Sequence, residues 1–344
     1  MAARKKGPDF RVTGLPASLP DDELDTTLKT VIGDNLSDEE RSQLNINTTI
    51  VPSCYNNEQD RLYTPKSDAP VTADIIAISG LDEHAYGSWR GKGNLGRMWL
   101  RDFLSKDLPC CRTMIYGYNS KLSCHGINTI MDYGRELMEE LKKIRNTKER
   151  RQRPLFFIAH SFGGILLAHC LVKAVQTNED DHPTIVTLHR ATYGMLLFGI
   201  PHEGLVVNDI QKMLAGQGNH PRSALLQQIR DKSDLLAFQL ADFKNLIRDR
   251  KIVSFFETAQ TRQLEFDSES KRWKRTGEFA ITVATGSALL QLPDSMEDKI
   301  PLDSDHSMIV KFDDEDNQGY IIARDKLRQF EQDAPGVVAA RFCT

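Results

Sequence analysis

A serine hydroxyl is a weak nucleophile until a base takes its proton and a fixed geometry aims it, so its surroundings decide whether it reacts. Residues Ala159-His160-Ser161-Phe162-Gly163 approach the G-x-S-x-G pattern, in which serine sits on a tight, strained turn from a strand into a helix. Small residues on either side let strand and helix come close. Gly163 and Gly164 meet that demand, and Ala159 is the smallest departure from glycine. Leu155 to Ala159 is an unbroken apolar run suited to a strand buried on both faces. Beyond Gly164, residues Ile165, Leu166, Ala168, Leu171, Val172 and Val175 recur at helical spacing. The five-residue pattern alone is weak. Flanked by a legible strand and a legible helix, it makes Ser161 the candidate nucleophile.

Ser161 then needs an imidazole within about 3 Å and a carboxylate to orient that imidazole. In a parallel sheet, working residues gather at the carboxyl ends of strands, and this ranks the nine histidines. His306 is the best base, because it comes late, in the polar loop Pro301 to Ser307. His160 precedes the serine, so its side chain must point elsewhere, and His169 lies about two turns into the helix. His84 and His202 follow strands and are read as pocket residues, with His202 the second choice of base. For the acid, Glu257 stands at the end of the run Ile252 to Phe256, while Asp303, Asp305 and Glu203 compete. The order serine, acid, histidine is the one expected of α/β-hydrolases. Attack on a carbonyl creates an oxyanion, and each fixed donor to it is worth about 3 kcal/mol. The Phe162 N–H, at the helix start, is one candidate donor, helped by the helix dipole. The Leu81 N–H, in the glycine turn after the run Ala73 to Ser79, is the other.

Those residues require elements to hold them. Strand alternates with helix from 73 to 330, which implies a mostly parallel sheet with helices on both faces. Strands are expected at 73–79, 112–118, 194–199, 252–256 and 279–284, and helices at 99–108, 126–145 and 320–330. Residues 205–250 read as a leucine-rich helical insertion that either caps the site or packs into the core. The basic run Lys148 to Arg153 reads as a solvated loop, residues 178–181 as an acidic loop, and 267–275 as a charged hairpin. Ahead of a boundary near residue 70, residues 1–70 read as a small α+β region. It lacks the aromatic and basic strand positions of an RNA-recognition fold. The main domain is therefore expected to be 71–344.

Composition narrows the choice of function. In 344 residues, 40% hydrophobic and 27% charged, a sizeable core is available. A net charge of −4 argues against a nucleic-acid binder working by phosphate neutralisation. No apolar run is long enough for a transmembrane helix, although transient contact with a membrane surface is compatible with the chain. The start lacks a secretory signal, and Asp21, Asp22, Glu23 and Asp25 weigh against a mitochondrial presequence. Six cysteines, at 54, 110, 111, 124, 170 and 343, have no metal-ligand spacing. Reduced thiols in the cytoplasm are the expectation, with no metal and no cofactor. Oligomeric state is not legible.

At these landmarks the chain resembles a known group. FRVTGLP, LYTPKSDAPVTADIIAISGLDEHAYGSWR, WLRDFLSKDLP, MIYGYNSKL, FIAHSFGGILL, LFGIPHEGL, SFFET and DSDHSMIVKF occur in the order seen in fungal lipase-like α/β-hydrolases. That group is similar to the serine-active-site-containing protein family and to GPI inositol-deacylase-like lipases. The resemblance covers most of 62–330. It implies an acyl-ester hydrolase with Ser161, Glu257 and His306 as triad, acting on a small-molecule or lipid ester. Such domains often head NLR-like or repeat-bearing fungal proteins, and with neither addition here the expectation is a free-standing member. Some of the family associate with mitochondria or endoplasmic reticulum. Members often read Gly-His-Ser-Leu-Gly and His-Gly-Leu-Gly-Gly-His, where this chain has Ala159, Phe162, Ser79, Asp82 and Glu83. The departures at 79–83, together with the small N-terminal region, motivate the rival expectation, a catalytically silent module that binds a lipid or a protein and signals.

Overall fold

The structure, a computed structural model, describes residues 62–63, 71–93, 96–122, 126–178, 182–205, 207, 220–263, 265–267, 272–274 and 276–343. The small α+β region expected over 1–70 lies outside the described residues except for 62–63, as does most of the acidic loop at 178–181.

Apolar runs form the centre of the main sheet. In chain order its strands are β1 (Leu62–Tyr63), β2 (Ala73–Ile78), β3 (Cys111–Tyr116), β4 (Leu155–His160), β5 (Thr192–Phe198) and β6 (Lys251–Glu257). Four short strands of two or three residues follow: β7 (Thr261–Arg262), β8 (Glu265–Asp267), β9 (Arg272–Lys274) and β10 (Phe279–Ala280). The last is β11 (Glu297–Leu302). The seven-stranded sheet runs β1-β3-β2-β4-β5-β6-β11. Only β1 is antiparallel to its neighbour, and the other six strands are parallel. β1 lies before the expected boundary near residue 70.

Both faces of β2, β4 and β5 are buried, as parallel strands with helices on either side require. On β2, Ile76 and Ile78 face one core and Ala73, Ile75 and Ala77 the other. The first core lies under the helices Ile130–Ile144, Phe162–Gln176 (the elbow helix) and Pro183–Ala191. The second lies under Trp89, the segment Met98 to Leu108 and the long helix Gln318–Ala340. Six parallel strands clothed on both faces, with a sharp serine turn after β4, make an α/β-hydrolase fold.

Several elements depart from the sequence reading. Phe279 to Ala284 is not a strand of the main sheet. Only Phe279–Ala280 is extended, and it pairs with β7. The last sheet strand is Glu297–Leu302, whose charged residues and Pro301 give no apolar run because it is an edge. The helix Pro183–Ala191 went unread, and the closing helix extends to Ala340, past Pro335. Leu100–Leu104 winds as a π-helix before a last α turn. The run Lys148 to Arg153 is one helical turn, not a free loop. Arg153 joins Arg112 and Arg145 on the buried carboxylate of Asp74 at the start of β2. Arg145 also donates to the Arg151 and Arg153 carbonyls, which holds that turn in place.

Within 205–250 the structure describes the helices Ser223–Ile229 and Asp234–Leu246. Leu225, Leu226, Ile229, Leu236 and Phe243 join the core beside the elbow helix, and Gln239 Nε2 donates to the Ile165 carbonyl. Packing takes most of the apolar side of this insertion, although Phe238 is exposed. Among the described residues, no helix is long and apolar enough to cross a membrane. Cys110, Cys111, Cys170 and Cys343 are free thiols.

Candidate active site

Ser161 sits at the tip of the turn between β4 and the elbow helix, with φ 50° and ψ −126°. A non-glycine residue adopts that backbone only when its surroundings enforce it. The enforcement is visible. The Ser161 N–H donates to the Phe198 carbonyl at 3.0 Å, and its carbonyl accepts from the Gly164 N–H at 3.0 Å. A Cβ on Gly163 would lie 2.5 Å from the Ile78 carbonyl oxygen and 2.6 Å from that of Ser79, so only glycine lets helix and strand approach this closely.

The hydroxyl so presented meets His306. Ser161 Oγ lies 2.9 Å from His306 Nε2, and His306 Nδ1 lies 3.0 Å from Glu257 Oε2. All three residues are buried, at 6%, 8% and 3% exposure for Ser161, His306 and Glu257. Glu257 closes β6, the strand next to the edge. Its other oxygen, Oε1, accepts from the N–H groups of Thr282 and Val283 at 2.9 and 2.8 Å. The carboxylate is thus held from one side and offers Oε2 to the imidazole from the other. His306 N–H in turn donates to Thr261 Oγ1 at 3.2 Å, which pins the loop after β11.

The competing acids are occupied or turned outward. Asp305 Oδ1 accepts from Ser307 N–H, Ser307 Oγ and Met308 N–H, capping its own turn. Asp303 and Glu203 are exposed. His202, the second choice of base, is buried and stacks on Phe243 with ring centroids 6.4 Å apart. Its Nε2 finds no hydrogen-bond partner among the described residues. Burial, helped by the charge of Lys244, pulls this ring down to about 3, so it stays neutral. His84 is exposed, and its Nδ1 accepts from the N–H groups of Tyr86 and Gly87, closing a turn.

Burial also pulls His306 below the ordinary imidazole value of 6.5. The hydrogen bond to Glu257 opposes that shift, the charge on His160 adds to it, and the charges of Glu257 and Glu83 oppose it. The result is a ring that is unprotonated at neutral pH, with Nε2 placed to accept a hydrogen bond from the Ser161 hydroxyl.

Phe162 opens the elbow helix, so its N–H lacks an intrahelical acceptor. Leu81 follows Gly80 in the turn after β2, half-buried, and its N–H donates to no acceptor among the described residues. This turn is pressed against the serine, since a Cβ on Gly80 would lie 3.0 Å from Ser161 Cβ. Ala159 is buried in β4 between Ile78 of β2 and Leu197 of β5.

Three contributors were not read from sequence. Gly199, at φ 54°, follows β5, and a Cβ there would come within 3.1 Å of His306 Nδ1. Thr261 anchors the His306 main chain. Glu83 and His160 meet between the turn after β2 and the elbow, with His160 Nδ1 3.0 Å from Glu83 Oε1. The positive-φ cue at Gly199 is carried by its residue type, whereas the other contacts join distant positions and leave no local mark. Among the described residues, no group of three or more His, Cys, Asp or Glu is arranged to hold a metal ion.

No family model matches the chain. It is similar to Protein SERAC1 of Danio rerio, with 25% identity over 221 residues, 57% of this chain and 32% of that protein. It is likewise similar to Protein SERAC1 of Bos taurus, 24% identical over 252 residues, 64% of this chain and 36% of the relative. The chain therefore spans about a third of the length of these curated relatives. Among solved structures, the mature lipase BlEst2 of Bacillus licheniformis superposes with a TM-score of 0.48 at 12% identity, covering 80% of this chain and 99% of that one. A monoglyceride lipase from Saccharomyces cerevisiae, in complex with a substrate analogue, gives 0.45 at 14% identity, covering 79% and 90%. Strand order and the elbow, rather than these likenesses, carry the fold.

Proposed function

We propose that this chain is a serine hydrolase cleaving carboxylic esters through an acyl-enzyme. The observation that supports it is the hydrogen-bonded line from Ser161 Oγ through His306 to Glu257, 2.9 and 3.0 Å link by link. His306 takes the hydroxyl proton as Ser161 attacks the ester carbonyl, and Glu257 holds the resulting imidazolium. The oxyanion is received by the Phe162 and Leu81 N–H groups. Proton return from His306 expels the alcohol, and a water then repeats the sequence on the acyl group to release the acid. A lipid-like ester is the substrate class we favour, on the strength of the sequence landmarks shared with lipase-like hydrolases.

The test is hydrolysis of p-nitrophenyl esters of graded acyl length, with and without detergent. The wild type is expected to turn over at least part of the series, and Ser161→Ala to lose about 10⁴-fold or more in kcat. Absence of turnover across the whole panel in folded protein, with lipid or protein binding that survives Ser161→Ala, would favour the silent binding module instead.

A further inference from the structure

The Glu83–His160 pair stands outside the serine–histidine–glutamate line, yet it touches both the turn after β2 and the loop that carries His306. His160 closes β4 next to the serine, fully buried, its ring 5.1 Å from that of His306. Its Nε2 lies 3.0 Å from the main-chain carbonyl oxygen of His306. Its Nδ1 lies 3.0 Å from Glu83 Oε1 and 3.2 Å from Oε2. Glu83 Oε2 also accepts the Gly80 N–H at 2.7 Å, within the turn that carries Leu81.

The hydrogen-bonding roles follow from chemistry. A carbonyl oxygen only accepts, and so does an ionised carboxylate. Burial pushes the Glu83 carboxyl up, but the charge and hydrogen bond of His160 outweigh it, with the Gly80 N–H and Ser88 adding to the effect. The carboxyl is held at about 2 and is ionised at any working pH. Both nitrogens of His160 therefore lie within hydrogen-bond distance of acceptors, an arrangement that a ring donating from both nitrogens satisfies. A buried imidazolium is costly without a counter-ion, and Glu83 supplies one.

We propose that Glu83 and His160 act as a charged brace, two positioning residues that tie the Gly80–Glu83 turn to the His306 loop and set a fixed positive charge beside the catalytic imidazole. This deepens the esterase reading and rests on it. The brace has two consequences. Geometrically, Glu83 occupies the Gly80 N–H and leaves that of Leu81 for the oxyanion, while His160 holds the main chain from which His306 projects. Electrostatically, the cation disfavours a second positive charge on His306. The charged and polar groups facing His306 are Glu257 from β6, Ser161 from the elbow, His160 from β4 and Glu83 from the turn after β2. Facing Glu83 are His160, the Gly80 N–H, Ser88 and Tyr118.

The experiment is nitrogen-15 NMR of the histidine rings in the full chain, with pH profiles of ester hydrolysis for wild type, Glu83→Gln and His160→Gln. In the wild type, both ring nitrogens of His160 should remain protonated across neutral pH, and one should be bare in Glu83→Gln. In His160→Gln, the titration midpoint of His306 and the acid limb of kcat/KM should both move to higher pH. Each variant should lose about 10–100-fold in kcat, with a smaller change in KM, as expected when reacting groups are misplaced. Ring charge is read whether or not ester is cleaved. A wild type with no esterase activity therefore sinks the esterase reading alone. A wild-type His160 ring with one bare nitrogen at neutral pH overturns the brace in either case, as does a His306 midpoint that fails to rise in His160→Gln.

Discussion

Glu257 accepts three hydrogen bonds, two from main-chain N–H groups and one from His306, so its side chain cannot swing away from the imidazole. Replacing it by glutamine keeps the shape but removes the charge that fixes the tautomer. Glu257→Gln is expected to lower kcat by about 10⁴-fold, measured under saturating ester. Because burial holds His306 below 6.5, activity should be complete above that pH and be lost as pH falls through the lower value, protonation of the base being what ends it. An acid limb of kcat/KM with its midpoint above 6.5 would contradict this. Gly199 offers a third check. Gly199→Ala forces a left-handed conformation on alanine, at about 1–2 kcal/mol, and crowds His306 Nδ1. Its kcat should drop by about 10–100-fold, against a modest loss of thermal stability. Five residues marked Ser161 as the candidate nucleophile, chain order and strand ends marked His306 and Glu257 as its candidate partners, and the structure brings the three side chains together. Glu83 and His160 were not so marked, because a pair separated by 77 positions shows only once the turn after β2 lies against the elbow.

Among the elements, strands buried on both faces were the easiest to read, since Ile75 to Ile78, Phe156 to Ile158 and Met195 to Phe198 are continuous apolar runs. The edge strand Glu297–Leu302 escaped because it needs only one neighbour, and its Glu297 is buried to bind Ser254 and the N–H groups of Leu290 and Leu292. Arg153 likewise looked solvent-bound until folding carried it to Asp74. That cluster lies at the start of β2, the opposite end of the parallel strands from Ser161, and should affect stability rather than chemistry. Asp74→Ala leaves the buried guanidinium of Arg145 without its carboxylate, so unfolding in urea should shift by about 3–5 kcal/mol. The kcat of the molecules that remain folded should not change.

At the scale of the whole molecule, the site exists only because the sheet brings together segments far apart in the chain. Ser161 and His306 are 145 residues apart, and His306 and Glu257 are 49 apart. The fold class was readable from alternating strand and helix, whereas the exact partners across the sheet were not, since they depend on strand order β4-β5-β6-β11. Whether that arrangement is a working nucleophile is answered most directly by covalent labelling with a fluorophosphonate, followed by mass analysis of the modified peptide. The expected result is a single adduct on Ser161 in the wild type, none in Ser161→Ala, and much slower labelling in His306→Ala. A folded wild type that stays unmodified, or an adduct that persists in Ser161→Ala, would contradict the proposed chemistry.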